Sequence, residues 1–116
     1  MTVYLLKRIY EDVEDDDGYR VLVDRLWPRG VSKERAELDE WCTDVAPSTE
    51  LRTWFGHRPE RFDEFAARYR VELETSGAAA KFAKRMSGKP TVTLLIAAKD
   101  PVNNHGLVLQ EMLKHL

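Results

Sequence analysis

Two short segments hold most of the side chains able to bind a ligand or do chemistry. Asp24-Arg25-Leu26-Trp27-Pro28-Arg29-Gly30 places two guanidinium groups on either side of an indole. Planar guanidinium forks suit phosphate or carboxylate, the indole offers a stacking face, and Pro28 and Gly30 restrict the loop's shape. Lys99-Asp100-Pro101-Val102-Asn103-Asn104-His105-Gly106 adds a cation, an asparagine able to cap a helix, and a histidine in that helix's first turn. The positive end of a helix disfavours imidazolium there, and a neutral imidazole can serve as general base or hydrogen-bonding group. The pattern nominates Arg25, Trp27, Arg29, Ser48, Lys99 and Asn104 as ligand contacts, with His105 and Asp24 as acid–base or orienting groups. The competing reading is structural: arginines after a strand pair with acids such as Asp24 or Glu40, and a histidine at a helix start lies on the surface.

Other candidates carry weaker signals. His57 lies between Gly56 and Arg58 in a turn, and His115 lies near the end of the chain. Three scattered histidines and one cysteine make no metal-ligand spacing. Glu11–Gly18 has six acids in eight residues but lacks the glycine and distal glutamate at calcium-loop positions, so it reads as a solvated acidic loop. Cys42 reads as a partly buried small residue. No phosphate-binding glycine loop, nucleophile elbow or dinucleotide fingerprint is present, and no cofactor is expected.

The elements that must position these residues alternate strand and helix. Val3–Tyr10 reads as a strand, and Tyr19–Asp24 as another whose Val-Leu-Val centre marks burial on both faces. Ser32–Glu37 reads as a short capped helix, and Leu38–Thr43 as a short third strand. Ser48 caps a helix over Thr49–Phe55 that Gly56 closes. Pro59 opens the next helix, in which Phe62, Phe65, Tyr69 and Leu73 share one face. Ser76-Gly77 interrupts it before a second stripe, Ala79, Phe82, Ala83 and Met86. Thr91–Ala97 is the clearest strand, and a final helix starts near Asn104 with Leu109, Met112, Leu113 and Leu116 on one face. The pattern predicts a single α/β domain: a small, mainly parallel sheet of about four strands, covered by helices in three layers. The first connection is short for a parallel crossover, so antiparallel pairing of the first two strands stays open. In a parallel sheet, ligands bind beyond the carboxyl ends of the strands, and both chemically rich loops leave such ends.

Bulk properties narrow the function classes. A chain of 116 residues fits one domain, and 43% hydrophobic with 33% charged residues describes a globular protein. A net charge of −2 provides no global field toward nucleic acid or membranes, so anion binding must come from a local cluster and a nucleic-acid partner is disfavoured. One cysteine excludes an intramolecular disulfide. No run approaches the roughly 20 apolar residues of a membrane span, and Val3–Leu6 followed by Lys7 and Arg8 is too short for a signal segment, so a cytoplasmic protein is expected.

Gly18–Gly30 with its Asp-Arg-Leu-Trp-Pro-Arg-Gly string, Leu38–Trp41, Ala46–Arg52, Trp54–His57 and the Leu94–Leu113 stretch with Asn104-His105 together resemble the YeaO-like family. The likeness runs from Val3 almost to the end. That family is a branch of a broader group of the DUF488 type, defined only as a domain of unknown function. The resemblance implies a compact α/β fold and no particular activity. Longer members of the wider group carry a cysteine pair around the last strand and helix; those positions correspond to Ile96 and Asn104 here. His105 matches the group's histidine, and Gly106 stands where an arginine follows it, so a thiol mechanism does not transfer.

Two functions fit these residues. In one, an enzyme of hydrolase or transferase type acts on a small anionic or nucleotide-like molecule, clamped by Arg25 and Arg29, stacked on Trp27 and served by His105. In the other, the protein is a non-catalytic binding module for a metabolite, a nucleic-acid end or a protein partner.

Overall fold

The computed structural model describes Met1–Leu116. Four strands form its sheet: β1 (Val3–Arg8), β2 (Tyr19–Leu22), β3 (Glu40–Trp41) and β4 (Thr91–Ile96). Their order is β1-β4-β2-β3, and every neighbouring pair is parallel. β4 is thus central, as its apolar sequence predicts. Val92, Leu94 and Ile96 enter the main core, while Leu95 faces the opposite side with Leu22. Val21 and Val23 flank Leu22 in the same alternation, which is why the Val-Leu-Val run has no polar member.

Four helices pack on one face: α2 (Thr49–Phe55), α3 (Phe62–Ser76), α4 (Ala78–Met86) and α5 (His105–Lys114). Phe65, Tyr69 and Leu73 of α3 are buried there, and Phe55, Phe65 and Tyr69 form a stacked aromatic column. The other face is covered by the β1–β2 connection and by α1 (Lys33–Ala36), so the third layer is thin. The expected caps are in place: Ser32, Ser48 and Asn104 accept the backbone N–H groups of Arg35, Leu51 and Leu107. Gly56 and Gly77 close α2 and α3 with positive φ.

One open alternative closes and one expectation changes. The first two strands are not antiparallel partners; both run parallel to β4, which lies between them. The connection Ile9–Gly18 must cross two strand spacings and drop back four residues along β4, from the level of Ile96 to that of Val92. That diagonal is about 16 Å, and ten residues of extended chain reach about 33 Å, so no crossover helix is needed. The third strand shrinks to two residues because Thr43 turns into a 3₁₀ segment and Asp39 caps the amide of Arg20.

The acidic loop is also not simply solvated. Asp17 is 3% exposed and lies between Arg20 (2.5 Å) and Lys7 (3.0 Å), while its carbonyl accepts from the Thr93 hydroxyl of β4. Arg20 in turn donates to the carbonyls of Ala36 and Glu37, fastening α1 to the sheet. Burial pushes the Asp17 carboxyl up, but the Glu14 amide, Lys7 and Arg20 outweigh it and hold the group below its ordinary value. Gly18 follows with φ 67° and ψ −134°, and a Cβ there would lie 2.4 Å from the Thr91 carbonyl oxygen.

Two consequences are measurable. Gly18→Ala meets both a disfavoured backbone region and the Thr91 backbone, and is expected to destabilise by about 2 kcal/mol or more in chemical denaturation. A loss under about 0.5 kcal/mol would contradict this account of the turn. Because the Asp17 carboxyl is depressed on folding, its stabilisation is complete above its unfolded value near 3.9 and disappears as pH falls through the lower folded value. Unfolding free energy should therefore fall below about pH 4, with a shallower acid slope in Asp17→Asn.

Candidate binding cleft at the sheet's carboxyl edge

Because β2 and β4 are parallel neighbours, the loops following them leave from the same edge. Between these loops and the end of α2 lies a cleft of about 730 Å³. Its walls include Asp24, Arg25, Trp27 and Arg29 after β2, Arg52, Phe55 and His57 of α2 and its end, and Lys99, Asn104 and His105 after β4. Tyr10, just past β1, completes one side.

Several charged residues are spent on building this edge. Asp24 Oδ2 accepts the Ala97 amide at 2.9 Å, tying the end of β2 to the end of β4. Arg8 donates to the carbonyls of Ala98 and Ala97, at 2.9 and 3.2 Å. Arg25 donates to the carbonyls of Pro47 (2.9 Å), Ala46 (3.4 Å) and Thr43 (3.5 Å), holding down the segment that precedes α2. Val45 in that segment accepts from the buried Tyr69 hydroxyl. Burial, with the carboxylates of Asp24 and Glu72 adding to it, pushes the Tyr69 phenol well above its usual range, so it stays a donor.

His105 is the first residue of α5, as predicted, behind the Asn104 cap. Its Nε2–H donates to the Val23 carbonyl at 3.2 Å, and Asp24 Oδ1 lies 3.1 Å from the same nitrogen. The N–H direction favours the carbonyl, so Asp24 Oδ1 is buried without a hydrogen bond. With the proton on Nε2, Nδ1 of a neutral imidazole is an acceptor, and it has no protein partner. The edge of the Tyr69 ring packs against the imidazole, with centroids 6.1 Å apart.

The predicted contacts therefore separate. Arg29 and Lys99 are exposed and their side chains make no hydrogen bond or ion pair with the protein. Arg25 is not free as expected, because its donors are engaged by three backbone carbonyls. Trp27 lines the cleft with its N–H turned inward to the Val31 carbonyl and its ring set edge-on to Trp41. Asn104 uses its side chain to cap α5 and to donate to the Asp100 carbonyl. Ser48 lies outside the cleft, in a groove between α2 and α3, hydrogen-bonded to Glu72. Asp100 accepts from the Val102 and Asn103 amides and the Asn103 side chain, which hold its carboxyl below the ordinary value and stiffen the loop.

Arg52 was not among the sequence-predicted residues. It is half-buried at the cleft wall and carries no protein partner. His57, a weaker sequence candidate, also reaches the cleft, from a left-handed backbone conformation (φ 58°) that histidine adopts more readily than most residues. For His57 the available signal is its place directly after the helix-closing Gly56; Arg52, in the middle of α2, carries no local signal. No group of three or more His, Cys, Asp or Glu side chains is arranged to hold a metal ion, and no helix is long and apolar enough to cross a membrane.

Fold and site define a small α/β protein with an all-parallel four-stranded sheet and a basic cleft at its carboxyl edge. Residues 4–116 match the family described as the inactive DUF488-N3 subclade, and the chain belongs to that family. It is 50% identical over 106 residues to uncharacterized proteins of Mycobacterium tuberculosis and Mycobacterium bovis, covering 91% of this chain and 89% of each relative. The uncharacterized protein YeaO of Escherichia coli is 43% identical over 110 residues, covering 95% of this chain and 96% of that protein, so the YeaO-like resemblance holds. No solved structure matches the chain.

The division of labour among the arginines is testable by chemical denaturation. Arg25→Ala takes the donor from the Pro47 and Ala46 carbonyls, while Thr43 keeps the Ala46 amide, and is expected to destabilise by about 1–3 kcal/mol. Arg29→Ala, with no protein contact to lose, should stay within about 0.5 kcal/mol of the parent. Equal losses in the two variants would contradict the structural role of Arg25 and the unengaged state of the Arg29 side chain.

Proposed function

We propose that the cleft binds a small anionic, nucleotide-like ligand and that the protein works as a binding module rather than a catalyst. One observation carries this reading. Arg29, Arg52 and Lys99 come from three separate elements, line one cleft, and have no anionic partner in the protein. A cation left unpaired in a concave site is available for charge-assisted hydrogen bonds to a ligand. Beside these cations, Tyr10, Trp27 and Phe55 supply apolar surface, the mixture of walls and few polar groups typical of small-molecule sites.

The lining holds no free hydroxyl or thiol to act as a nucleophile. Tyr10 carries its only hydroxyl, which donates to the Arg29 carbonyl at 3.0 Å, and no serine, threonine or cysteine faces the cleft. The family's description as inactive points the same way. A second reading draws on the Asp24–His105 pair: with Nδ1 unpartnered, His105 can take a proton from a water attacking the bound ligand, as a hydrolase or transferase would require.

Isothermal titration with nucleotides, sugar phosphates and inorganic anions distinguishes the two. The binding-module reading expects a nucleotide-like anion to bind, with affinity falling about 10–100-fold in Arg29→Ala or Arg52→Ala, each losing about 1.5–3 kcal/mol. His105→Ala should bind nearly as well as the parent, with no product formed by either. Steady turnover abolished by His105→Ala would transfer the assignment to the second reading, and silence across all anions would overturn both.

A further inference from the structure

The free cations of the cleft carry more information than a preference for negative charge. Resting on the reading above, we infer that the cleft recognises a terminal phosphomonoester on a ring-bearing small molecule, and discriminates against phosphodiesters of the same ring.

The argument begins with which charges are already satisfied. Arg25 is engaged by backbone carbonyls, Asp24 by the Ala97 amide, and Asp100 by its own loop. Three permanently charged cations remain unengaged: Arg29 after β2, Arg52 on α2, and Lys99 after β4. They stand on separate walls, so they approach a ligand from different directions. A terminal phosphomonoester offers these cations three non-bridging oxygens and nearly two negative charges, whereas a diester offers two oxygens and one charge.

Charge agrees with oxygen count. The cleft's formal charge is +2, from Arg25, Arg29, Arg52 and Lys99 against Asp24 and Asp100. A monoester near neutral pH carries about −1.5 to −2 and matches that balance, while a diester carries a single negative charge and leaves half of it uncompensated. Size and lining then demand more than the phosphate. A cleft of about 730 Å³ falls within the usual range of about 300–1,000 Å³ for small-molecule sites and is far larger than a lone anion. Trp27 has its N–H turned away to Val31, so what it offers the cleft is ring surface, suited to a planar or ring-shaped group.

The test uses matched pairs on the full chain: adenosine and uridine 5′-monophosphates, each against its phosphate methyl ester, with ribose 5-phosphate and inorganic phosphate alongside. Isothermal titration is expected to show each bound monoester about tenfold or more tighter than its methyl ester, the equivalent of one charge-assisted hydrogen bond. Inorganic phosphate should bind more weakly than the bound monoester, because it leaves the aromatic wall uncovered. In Lys99→Ala the monoester-to-diester ratio should shrink toward one, since the cleft's formal charge falls from +2 to +1 and then matches the single charge of a diester. Lys99 is exposed and unpartnered, so this variant retains the fold. Equal affinities for monoester and methyl ester, with binding still lost in Arg29→Ala, would overturn the monoester preference and leave anion binding standing. No binding by any probe would overturn both.

Discussion

The parallel pairing of β2 with β4, locked at its carboxyl end by Asp24, is the constraint on which the rest of the molecule depends. The Asp24 carboxylate reaches from the end of one strand to the Ala97 amide at the end of the other. Parallel alignment sends both following loops out of the same edge, and the lock keeps them from splaying. Behind it, β4 occupies the middle of the sheet, which places α5 and its first residue, His105, directly over the junction. Were the two strands antiparallel, Arg29 and Lys99 would leave from opposite ends of the sheet and no shared cleft would form.

Around that lock, charged residues divide into those that hold backbone and those that hold nothing. Arg8, Arg25 and Arg20 all end on carbonyl groups that irregular segments would otherwise leave unpaired. A guanidinium suits this role because it carries several donors in fixed geometry and stays charged. The second face of the sheet uses the same device, with Asp17 between Lys7 and Arg20 in place of a covering helix. Breaking such a buried pair by removing one partner is strongly destabilising, so the thin layer is held by charge as well as by packing. Arg29, Arg52 and Lys99 lie outside this scaffold. Their freedom, rather than their number, makes the cleft a candidate site.

Much of the architecture is legible along the chain because its signals are local. The continuous Val21-Leu22-Val23 and Val92–Ile96 runs declare strands buried on both faces, and Ser48, Gly56, Gly77 and Asn104 mark helix ends through their own backbone chemistry. Asp24 and His105, nominated separately from two loops, lie side by side because the strands those loops leave are parallel neighbours. The roles of Arg25 and Arg29 are a different matter. They are the same residue type four positions apart, and what separates them is the arrival of the Thr43–Pro47 carbonyls from further along the chain. Arg52 looked like an ordinary helix residue because only the docking of α2 brings it to the cleft. Asp17 sat in a run of acids with nothing local to show that Lys7 and Arg20 would enclose it. Gly106 gains its meaning the same way: a Cβ there would come 2.6 Å from the tip of the Leu6 side chain and 3.0 Å from the Ile96 side chain, so a larger residue requires those side chains to shift.

The central claim, that the loops after β2 and β4 and the end of α2 form one ligand site, is tested most directly by mapping backbone amide shifts during titration with a nucleoside monophosphate. The account predicts perturbations concentrated in residues 24–30, 52–57 and 97–106, saturating together with one dissociation constant. Saturable shifts confined to another surface, such as the groove between α2 and α3 beside Ser48, would contradict it.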